Sequence, residues 1–251
     1  MSANHLLLKN VDLHYRSVAF QERSLKSLLA GWMGSQKNRP PIQDIHALKK
    51  ISLEVRPGER VGLLGANGAG KSSFLKMVAG LYPISGGVRQ LDGKVRALFD
   101  ISLGFEPEAT GRENILYRGL LLGLLPREVA KMEDAIVDFA DLGGFIDYPL
   151  KTYSAGMQVR LAFAVSTAVG GDFLLLDEVI GAGDSAFMAK AKRRVLDLVE
   201  QSEILILASH DPAALRQLCG RGLVLEQGQV RFDGPIEEAI SVYAQRQKVE
   251  P

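Results

Sequence analysis

The sequence feature that most restricts the fold is a glycine-rich stretch, GANGAGKS, at residues 65–72. It matches the pattern G-x-x-x-x-G-K-[ST], and it lies between the strand-like ERVGLL and the helix-like SSFLKMVAG. Closely spaced glycines let successive backbone N–H groups turn inward around phosphate oxygens, and the start of the following helix adds a favourable dipole. We therefore expect a strand–loop–helix unit that binds phosphate.

The end of this stretch carries the side chains that act on phosphate. Lys71 can reach the β- and γ-phosphates of a nucleotide, and the hydroxyl of Ser72 can ligate Mg²⁺. The alternative is a purely structural glycine turn followed by a surface lysine. Such a turn would not require all eight positions to match the phosphate-binding pattern, nor a strand before it and a helix after it. We predict that ATP and Mg²⁺ bind here, through Gly65, Ala66, Asn67, Gly68, Ala69, Gly70, Lys71, Ser72 and Ser73.

Two apolar segments further along the chain each end in polar side chains. FLLLDE ends in Asp177 and Glu178, and LILASH ends in His210. The helical AFMAKAKRRVLDLVEQ separates them, and this βαβ spacing implies parallel strands in one sheet. The carboxyl ends of such strands lie beside the phosphate loop, so Asp177 can hold the magnesium through water, Glu178 can polarise an attacking water and His210 can contact the γ-phosphate.

Composition argues against several classes of function. The 251 residues include 30 basic and 29 acidic side chains, so the net charge of +1 gives no support to a nucleic-acid partner. Cys219 is the one cysteine, and no Cys/His cluster has the spacing of metal ligands, so we expect no structural zinc site. No apolar run approaches the ~20 residues of a membrane span, so any work at a membrane requires a partner protein.

The remaining segments predict the order of the elements. HLLLKNVDLHY and LKKISLEVRPGERVGLL read as short strands, with Pro57-Gly58 as a hairpin turn. A helical insertion is expected at about 20–34, and PISGGVRQLDGK reads as turns before a strand at VRALF. Periodicity is mainly helical at about 110–170, and a short hairpin precedes a last helix at about 236–247.

The stretch YSAGMQVRLAF, at residues 153–163, is another candidate anion site. Ser154, Ala155 and Gly156 form a small-residue turn that opens directly onto an apolar-periodic helix. Such a turn can present a hydroxyl and bare backbone N–H groups to an anion, and it can also be only a helix cap. The residues alone leave both readings open.

A phosphate loop, a serine–glycine turn, LLLDE and SH follow one another along the chain. In this order the chain resembles, over nearly all of its length, the nucleotide-binding subunit of an ATP-binding cassette (ABC) transporter. The resemblance implies an α/β fold of the P-loop NTPase class, with a mixed sheet core, a helical subdomain at about 110–170 and an N-terminal antiparallel β region, all in a single domain over residues 1–251. It also implies an ATP-sandwich dimer of two copies, in which the signature turn contacts the γ-phosphate of ATP held by the partner. The residues of that turn are Ser154, Ala155, Gly156 and Met157.

Four stretches, YSAGMQVRLAFAV, AGDSAF, GFEPEATGREN and LCGRGLVLEQGQVRFDG, are most similar to the branch of the family that exports polysaccharides such as O-antigen, capsule and teichoic acid. This resemblance implies an integral membrane permease as partner, a polysaccharide cargo that passes through the permease, and a place at the cytoplasmic face of the inner membrane. Some members carry a further C-terminal domain that binds the end of the glycan. Because this chain stops soon after its closing helix, we expect no terminal-sugar recognition by this subunit.

Some positions depart from the family pattern or leave a role open. Met157 stands where the usual LSGGQ signature has glutamine. Asp100 lies near the place of the glutamine that usually contacts magnesium, which makes it the candidate metal contact. Tyr15 is the candidate to stack on adenine, and His46 is the second candidate for that role.

The predicted insertion at 20–34 has one apolar face. Leu25, Leu28, Leu29 and Trp32 recur at i, i+3, i+4 and i+7 of a helix. This face either packs on the protein's own core or lies at the cytoplasmic membrane face beside the permease, with Trp32 as an interfacial anchor.

Two other classes of function share the phosphate chemistry. A non-transport cassette ATPase that acts on nucleic acid or ribosomes is disfavoured by a single cassette, the absence of heptads and the near-zero net charge. A P-loop kinase would leave YSAGM without a role. We therefore expect an ATPase that drives polysaccharide export.

Overall fold

The computed structural model describes residues 4–18, 42–99, 104–177 and 185–247, and its strands form two sheets flanked by helices. The strands are β1 (His5–Val18), β2 (Ile42–Val55), β3 (Arg60–Leu64), β4 (Gly86–Asp92), β5 (Val95–Leu98), β6 (Phe173–Asp177), β7 (Ile204–Ala208), β8 (Arg221–Glu226) and β9 (Gln229–Pro235). The helices are α1 (Lys71–Val78), α2 (Gly111–Leu121), α3 (Pro126–Ala140), α4 (Ala155–Ser166), α5 (Ser185–Gln201), α6 (Pro212–Leu218) and α7 (Ile236–Gln247). These elements confirm the predicted α/β class.

The larger sheet leads into the phosphate loop. Its strand order is β5-β6-β7-β3-β8-β9. The pairs from β5 to β8 are parallel, and β9 pairs antiparallel with β8. The mixed sheet and the parallel pairing of β6 with β7 are therefore confirmed. Because parallel strands end at the same edge, the carboxyl ends of β3, β6 and β7 lie together.

The smaller sheet has the order β2-β1-β4 and is antiparallel, as predicted for the N-terminal region. The prediction of a hairpin at Pro57-Gly58 is wrong. This turn connects β2, in the small sheet, to β3, in the large sheet. A Pro-Gly turn requires a reversal of the chain, but it does not require the flanking strands to pair with each other.

The segment PISGGVRQLDGK, which is turn-rich in sequence, contains a strand that was not predicted. Gly86–Asp92 forms β4, which pairs with β1. Turn-forming residues flank the strand and enter it, and Gly87 has a positive φ of 84°. A Cβ at Gly87 would lie 2.3 Å from the carbonyl oxygen of Asn10, so the glycine permits close approach to β1.

Helix α1 is packed between the two sheets. Phe74, Leu75, Met77 and Val78 are fully buried in a cluster with apolar side chains of β1, β2, β3 and β6. Burial on both sides holds the axis of α1 fixed relative to both sheets. The loop that precedes α1 is therefore anchored at its strand end and at its helix end.

Helices α2, α3 and α4 lie in the region predicted to be helical. Thr110 begins α2 with a capping box, because its hydroxyl accepts from the N–H of Glu113 and its own N–H donates to the Glu113 carboxylate. Asn114 is fully buried and bonds to the backbone of Glu106, Ala109 and Thr110, which holds the approach to this helix. The hairpin of β8 and β9 and the last helix, α7, are also as predicted. The predicted insertion at 20–34 lies outside the described residues.

Candidate functional site

A cleft of about 520 Å³ brings most of the predicted nucleotide-binding residues together. It lies between the phosphate loop, the ends of β6 and β7, and the β1–β2 pair. Its lining includes the predicted residues Tyr15, Ala66, Asn67, Gly68, Gly70, Lys71, Ser72, Ser73, Asp177 and His210. It also includes Ile45, His46, Ala47, Lys49, Gln227 and Gly228.

The loop between β3 and α1 lies in close backbone contact with its neighbours. Gly70 has φ 107°, and a Cβ there would lie 3.1 Å from the carbonyl oxygen of Ala47 in β2. A Cβ at Gly65 would lie 2.6 Å from the carbonyl oxygen of Leu225 in β8. Gly65 and Ala69 thus form the back of the loop, whereas the other predicted positions face the cleft.

The ammonium group of Lys71 lies across the mouth of the loop. Its Nζ donates to the carbonyl oxygens of Gly65 at 2.6 Å and Ala66 at 3.2 Å. These contacts place a full positive charge next to the backbone turn that would surround phosphate. From this position the ammonium can reach β- and γ-phosphate oxygens.

Strands β6 and β7 carry the predicted polar residues to the same cleft. Asp177 is the last residue of β6 and lies opposite Ala208 of β7, and its side chain is half-buried. His210 follows β7 by two residues and is exposed. Ser72 lies in the first turn of α1. The oxygen donors of Ser72 and Asp177 are of the kind that Mg²⁺ prefers, so this donor set fits a magnesium nucleotide.

Both candidate adenine partners line the cleft. Tyr15 is 40% exposed, and its ring centroid lies 6.1 Å from that of Tyr82. His46 bonds through Nε2 to Asp12 at 2.7 Å, and its ring stacks on His14 with a centroid distance of 3.9 Å. Tyr15 thus keeps a large part of its ring exposed beside Tyr82, whereas one face of the His46 ring is covered by His14.

The signature turn lies outside this cleft. Ser154 is the N-cap of α4, and its hydroxyl accepts from the N–H of Met157 at 3.3 Å. Ser154, Ala155 and Gly156 are exposed and Met157 is half-buried, whereas Tyr153 is buried and donates to the carbonyl oxygen of Phe145. Ser154 is therefore a helix cap, and the exposed turn remains accessible to a ligand from outside the chain.

Two predicted site residues, Glu178 and Asp100, lie outside the described residues. The strand that precedes each of them is described, and β6 ends one residue before Glu178.

Sequence reasoning missed the turn between β8 and β9. Gln227 and Gly228 line the cleft, and the N–H of Gly228 donates to the carbonyl oxygen of Ala69 at 2.9 Å. The carbonyl oxygen of Gly228 accepts from the N–H of Lys49 at 2.8 Å. This turn thus connects β2 to the phosphate loop. The tight EQGQ turn is visible in the sequence, but its proximity to residue 69 depends on the sheet order.

Comparison with known proteins agrees with this geometry. Residues 48–181, more than half of the chain, match the model of the ABC transporter family. The chain is 39% identical over 230 residues to the O-antigen export system ATP-binding protein RfbE of Yersinia enterocolitica, covering 90% of this chain and 95% of that protein. It is 36% identical over 244 residues to the O-antigen export system ATP-binding protein RfbB of Myxococcus xanthus and 33% identical over 243 residues to the teichoic acids export ATP-binding protein TagH of Lactococcus lactis. It spans 56% and 52% of the lengths of these last two relatives.

A solved structure has the same fold. The ATP-binding cassette MJ0796, in a dimeric post-hydrolysis state bound to ADP and Pi, superposes with a TM-score of 0.64 at 22% identity, covering 92% of this chain and 98% of that one. Among the residues described, no helix combines the length and apolar composition needed to cross a membrane. On the family match and the identity to RfbE, this chain belongs to the ABC transporter family.

Proposed function

We propose that this chain hydrolyses ATP to drive an ABC exporter that moves a polysaccharide of the O-antigen, capsule or teichoic-acid type across the cytoplasmic membrane. The observation that carries the proposal is the cleft in which Lys71, Ser72, Asp177 and His210 meet. Similarity to export ATP-binding proteins for O-antigen and teichoic acids supports the cargo class.

Nucleotide binding uses the loop and the rim of the cleft. The backbone N–H groups of residues 65–73 and the Lys71 ammonium bind the phosphates, and Tyr15 stacks on adenine. Ser72 would ligate Mg²⁺ directly and Asp177 would hold it through water, with Asp100 as a further contact. When bound, Mg²⁺ neutralises charge on the β- and γ-phosphates.

Hydrolysis requires an activated water beside the γ-phosphate. Glu178 follows Asp177 at the carboxyl end of β6 and accepts a proton from the attacking water. The water oxygen bonds to the γ-phosphorus while the bond to the bridging oxygen breaks, which releases ADP and phosphate. His210 donates a hydrogen bond to the γ-phosphate and orients it.

The second half of each ATP site comes from another copy of the chain. The exposed turn at Ser154, Ala155, Gly156 and Met157 lies outside the chain's own cleft and can contact the γ-phosphate held by a partner. Two copies thus enclose two ATP molecules. Closure of this dimer drives a separate integral membrane permease, through which the cargo passes, and the subunit lies at the cytoplasmic face of the inner membrane through that permease. No nucleic acid takes part.

Glu178→Gln tests the assignment of the base. This variant should lose steady-state ATP hydrolysis, retain ATP binding and accumulate as an ATP-bound dimer in size-exclusion chromatography. Adding Ser154→Arg should return the trapped dimer to monomer while each copy still binds ATP, because a bulky side chain fills the space of the partner's phosphate. Hydrolysis by Glu178→Gln at the wild-type rate would exclude Glu178 as the base.

Two further measurements separate ATP binding from polysaccharide transport. Lys71→Ala should weaken ATP binding in calorimetry by a few kcal/mol (roughly 2–4), because it removes a charge-assisted contact to phosphate. In cells that depend on this gene, the Glu178→Gln allele should leave surface polysaccharide at the level of a gene deletion. Normal surface polysaccharide with an inactive ATPase would refute the export role while leaving the ATPase assignment in place.

A further inference from the structure

Two short sequence motifs with the same pattern lie opposite each other in the small sheet. Asp12-Leu13-His14 is in β1 and Asp44-Ile45-His46 is in β2. The antiparallel register pairs His14 directly with His46, so each histidine lies diagonally opposite the aspartate of the other strand. Successive residues of β1 alternate between faces, so Asp12 and His14 lie on the face opposite the buried Leu13. The pairing of β1 with β2 shifts register between Leu13 and His14, so Asp44 and His46 lie on the same outer face as Asp12 and His14 although Leu48 is buried.

The four side chains form a close cluster. His46 Nε2 lies 2.7 Å from Asp12 Oδ1, and His14 Nδ1 lies 3.5 Å from Asp44 Oδ1. The two imidazole rings stack at 3.9 Å with an interplanar angle of 19°. One ligand atom each of Asp12, His14 and His46 lies within 4.8 Å of the other two. The four side chains are 26–62% exposed, so an ion from solvent can reach them.

We propose that Asp12, His14 and His46 bind one divalent transition-metal ion, of which Zn²⁺ is the best match. Two imidazoles and one carboxylate are ligands that Zn²⁺ accepts, whereas Mg²⁺ and Ca²⁺ prefer oxygen donors alone. A water molecule completes the coordination. This inference does not depend on the proposed function.

The distances suit coordination after small side-chain movements. With metal–ligand bonds of about 2.1 Å in a tetrahedral arrangement, neighbouring donor atoms lie roughly 3.4 Å apart. The 2.7 Å pair of Asp12 and His46 must therefore open by about 0.7 Å, and the other donor separations, which lie within 4.8 Å, must close by at most about 1.4 Å. Rotation about the side-chain torsions of these partly exposed residues can supply both movements, and it must also turn the two stacked imidazole rings so that both lone pairs point at one ion.

Asp44 acts as a positioning residue for His14. A metal-bound histidine usually donates its other ring N–H to a carboxylate, which fixes the tautomer and the ring orientation. The Asp44 carboxylate lies on the Nδ1 side of His14, so an Nδ1–H donated to it leaves the lone pair of this ring on Nε2. Without Asp44 the two tautomers of His14 would compete.

The site lies at the rim of the nucleotide cleft. His46 belongs to both, and Tyr15 directly follows His14 in β1. A bound ion would join β1 to β2 at this point and would hold His46 away from adenine. It would leave Tyr15 as the aromatic partner of the nucleotide.

Zinc titration of the purified full chain, freed of metal with EDTA and kept free of nucleotide, tests the site. Calorimetry should show one Zn²⁺ per chain, and Co²⁺ should give the visible absorption bands of a tetrahedral site. His14→Ala, His46→Ala and Asp12→Asn should each weaken zinc binding at least about tenfold. His5→Ala, on the same strand outside the cluster, and His210→Ala, in the nucleotide cleft, should bind zinc as the wild type does.

The outcomes are distinct. Absence of zinc binding by the wild type overturns the proposal, as does unchanged binding by the three cluster variants. Loss of binding in His210→Ala would place the metal in the nucleotide cleft and also overturn it. Asp12→Asn keeps the shape of the side chain, so it gives an answer even if circular dichroism shows that an alanine variant is unfolded.

Discussion

Gly228→Ala perturbs the contact between the β8–β9 turn and the phosphate loop. Gly228 has φ 79°, and a Cβ there would lie 2.3 Å from the carbonyl oxygen of Ala47. Gly58 provides a matched control, because its φ is 86° and a Cβ there would meet nothing within 4 Å. Both substitutions impose the same backbone strain, but only Gly228→Ala adds a steric clash.

The structure sets the size of the difference. Left-handed backbone costs a non-glycine residue about 1–2 kcal/mol, and both variants bear this cost. Relief of the clash at Ala47 displaces Gly228 and breaks its hydrogen bonds to Lys49, at 2.8 Å, and Ala69, at 2.9 Å. At about 0.5–1.5 kcal/mol for each bond, Gly228→Ala loses a further 1–3 kcal/mol or so. For a chain of this length, this loss of stability should lower the Tm of Gly228→Ala by roughly 2–12 °C relative to that of Gly58→Ala.

Differential scanning calorimetry without nucleotide measures the stability difference, and isothermal titration with ATP measures the effect on the site. Gly228→Ala should also bind ATP about tenfold more weakly, which corresponds to ~1.4 kcal/mol, because the phosphate loop loses its anchor at Ala69. Gly58→Ala should bind ATP as the wild type does. Equal Tm values for the two variants would refute the clash argument, and unchanged ATP affinity of Gly228→Ala would show that the turn does not support the loop.

Two further predictions concern buried polar groups. The Cys219 side chain is 5% exposed, and burial raises the pKa of its thiol to about 12. Alkylation of Cys219 by iodoacetamide at pH 8 should therefore be roughly a thousandfold slower in the native chain than in the urea-unfolded chain. Similar alkylation rates in the native and unfolded chains would contradict this prediction. Asn114→Ala removes hydrogen bonds to Glu106, Ala109 and Thr110 from a fully buried position. Urea unfolding should therefore show that the free energy of unfolding falls by about 2–4 kcal/mol. A fall below about 0.5 kcal/mol would mean that solvent replaces these hydrogen bonds.

Much of the site could be predicted because its parts are local. The glycine-rich loop, the strand before it and the helix after it occupy a single continuous segment. The acidic end of β6 could be recognised because the residues before Asp177 are all apolar, which indicates a buried strand and not a solvated turn. The βαβ spacing then placed Asp177 and His210 beside the loop, and both line the cleft. Their chemical roles stay predictions.

The errors have a common cause. Strand β4 contains and adjoins turn residues, and its pairing partner, β1, lies far away in the sequence. The turn at Pro57-Gly58 was interpreted from its own residues, although the sheet that receives the next strand is chosen by packing around α1. The meeting of the two Asp-x-His motifs, about 30 residues apart in the sequence, likewise depends on the pairing of β1 with β2.

The sequence by itself determined the phosphate loop, the alternation of strands and helices from β6 to α7, and the family resemblance, because each rests on contiguous residues or on their order along the chain. Tertiary structure alone decided that Gly228 hydrogen-bonds to Ala69 of the loop, that the signature turn lies outside the chain's own cleft, and that His14 stacks on His46. Those contacts depend on strand register and sheet order, which are set by burial of side chains distant in sequence around α1 and between the layers. Short-range patterns carry no information about such pairings, so the three-dimensional arrangement was needed to find them.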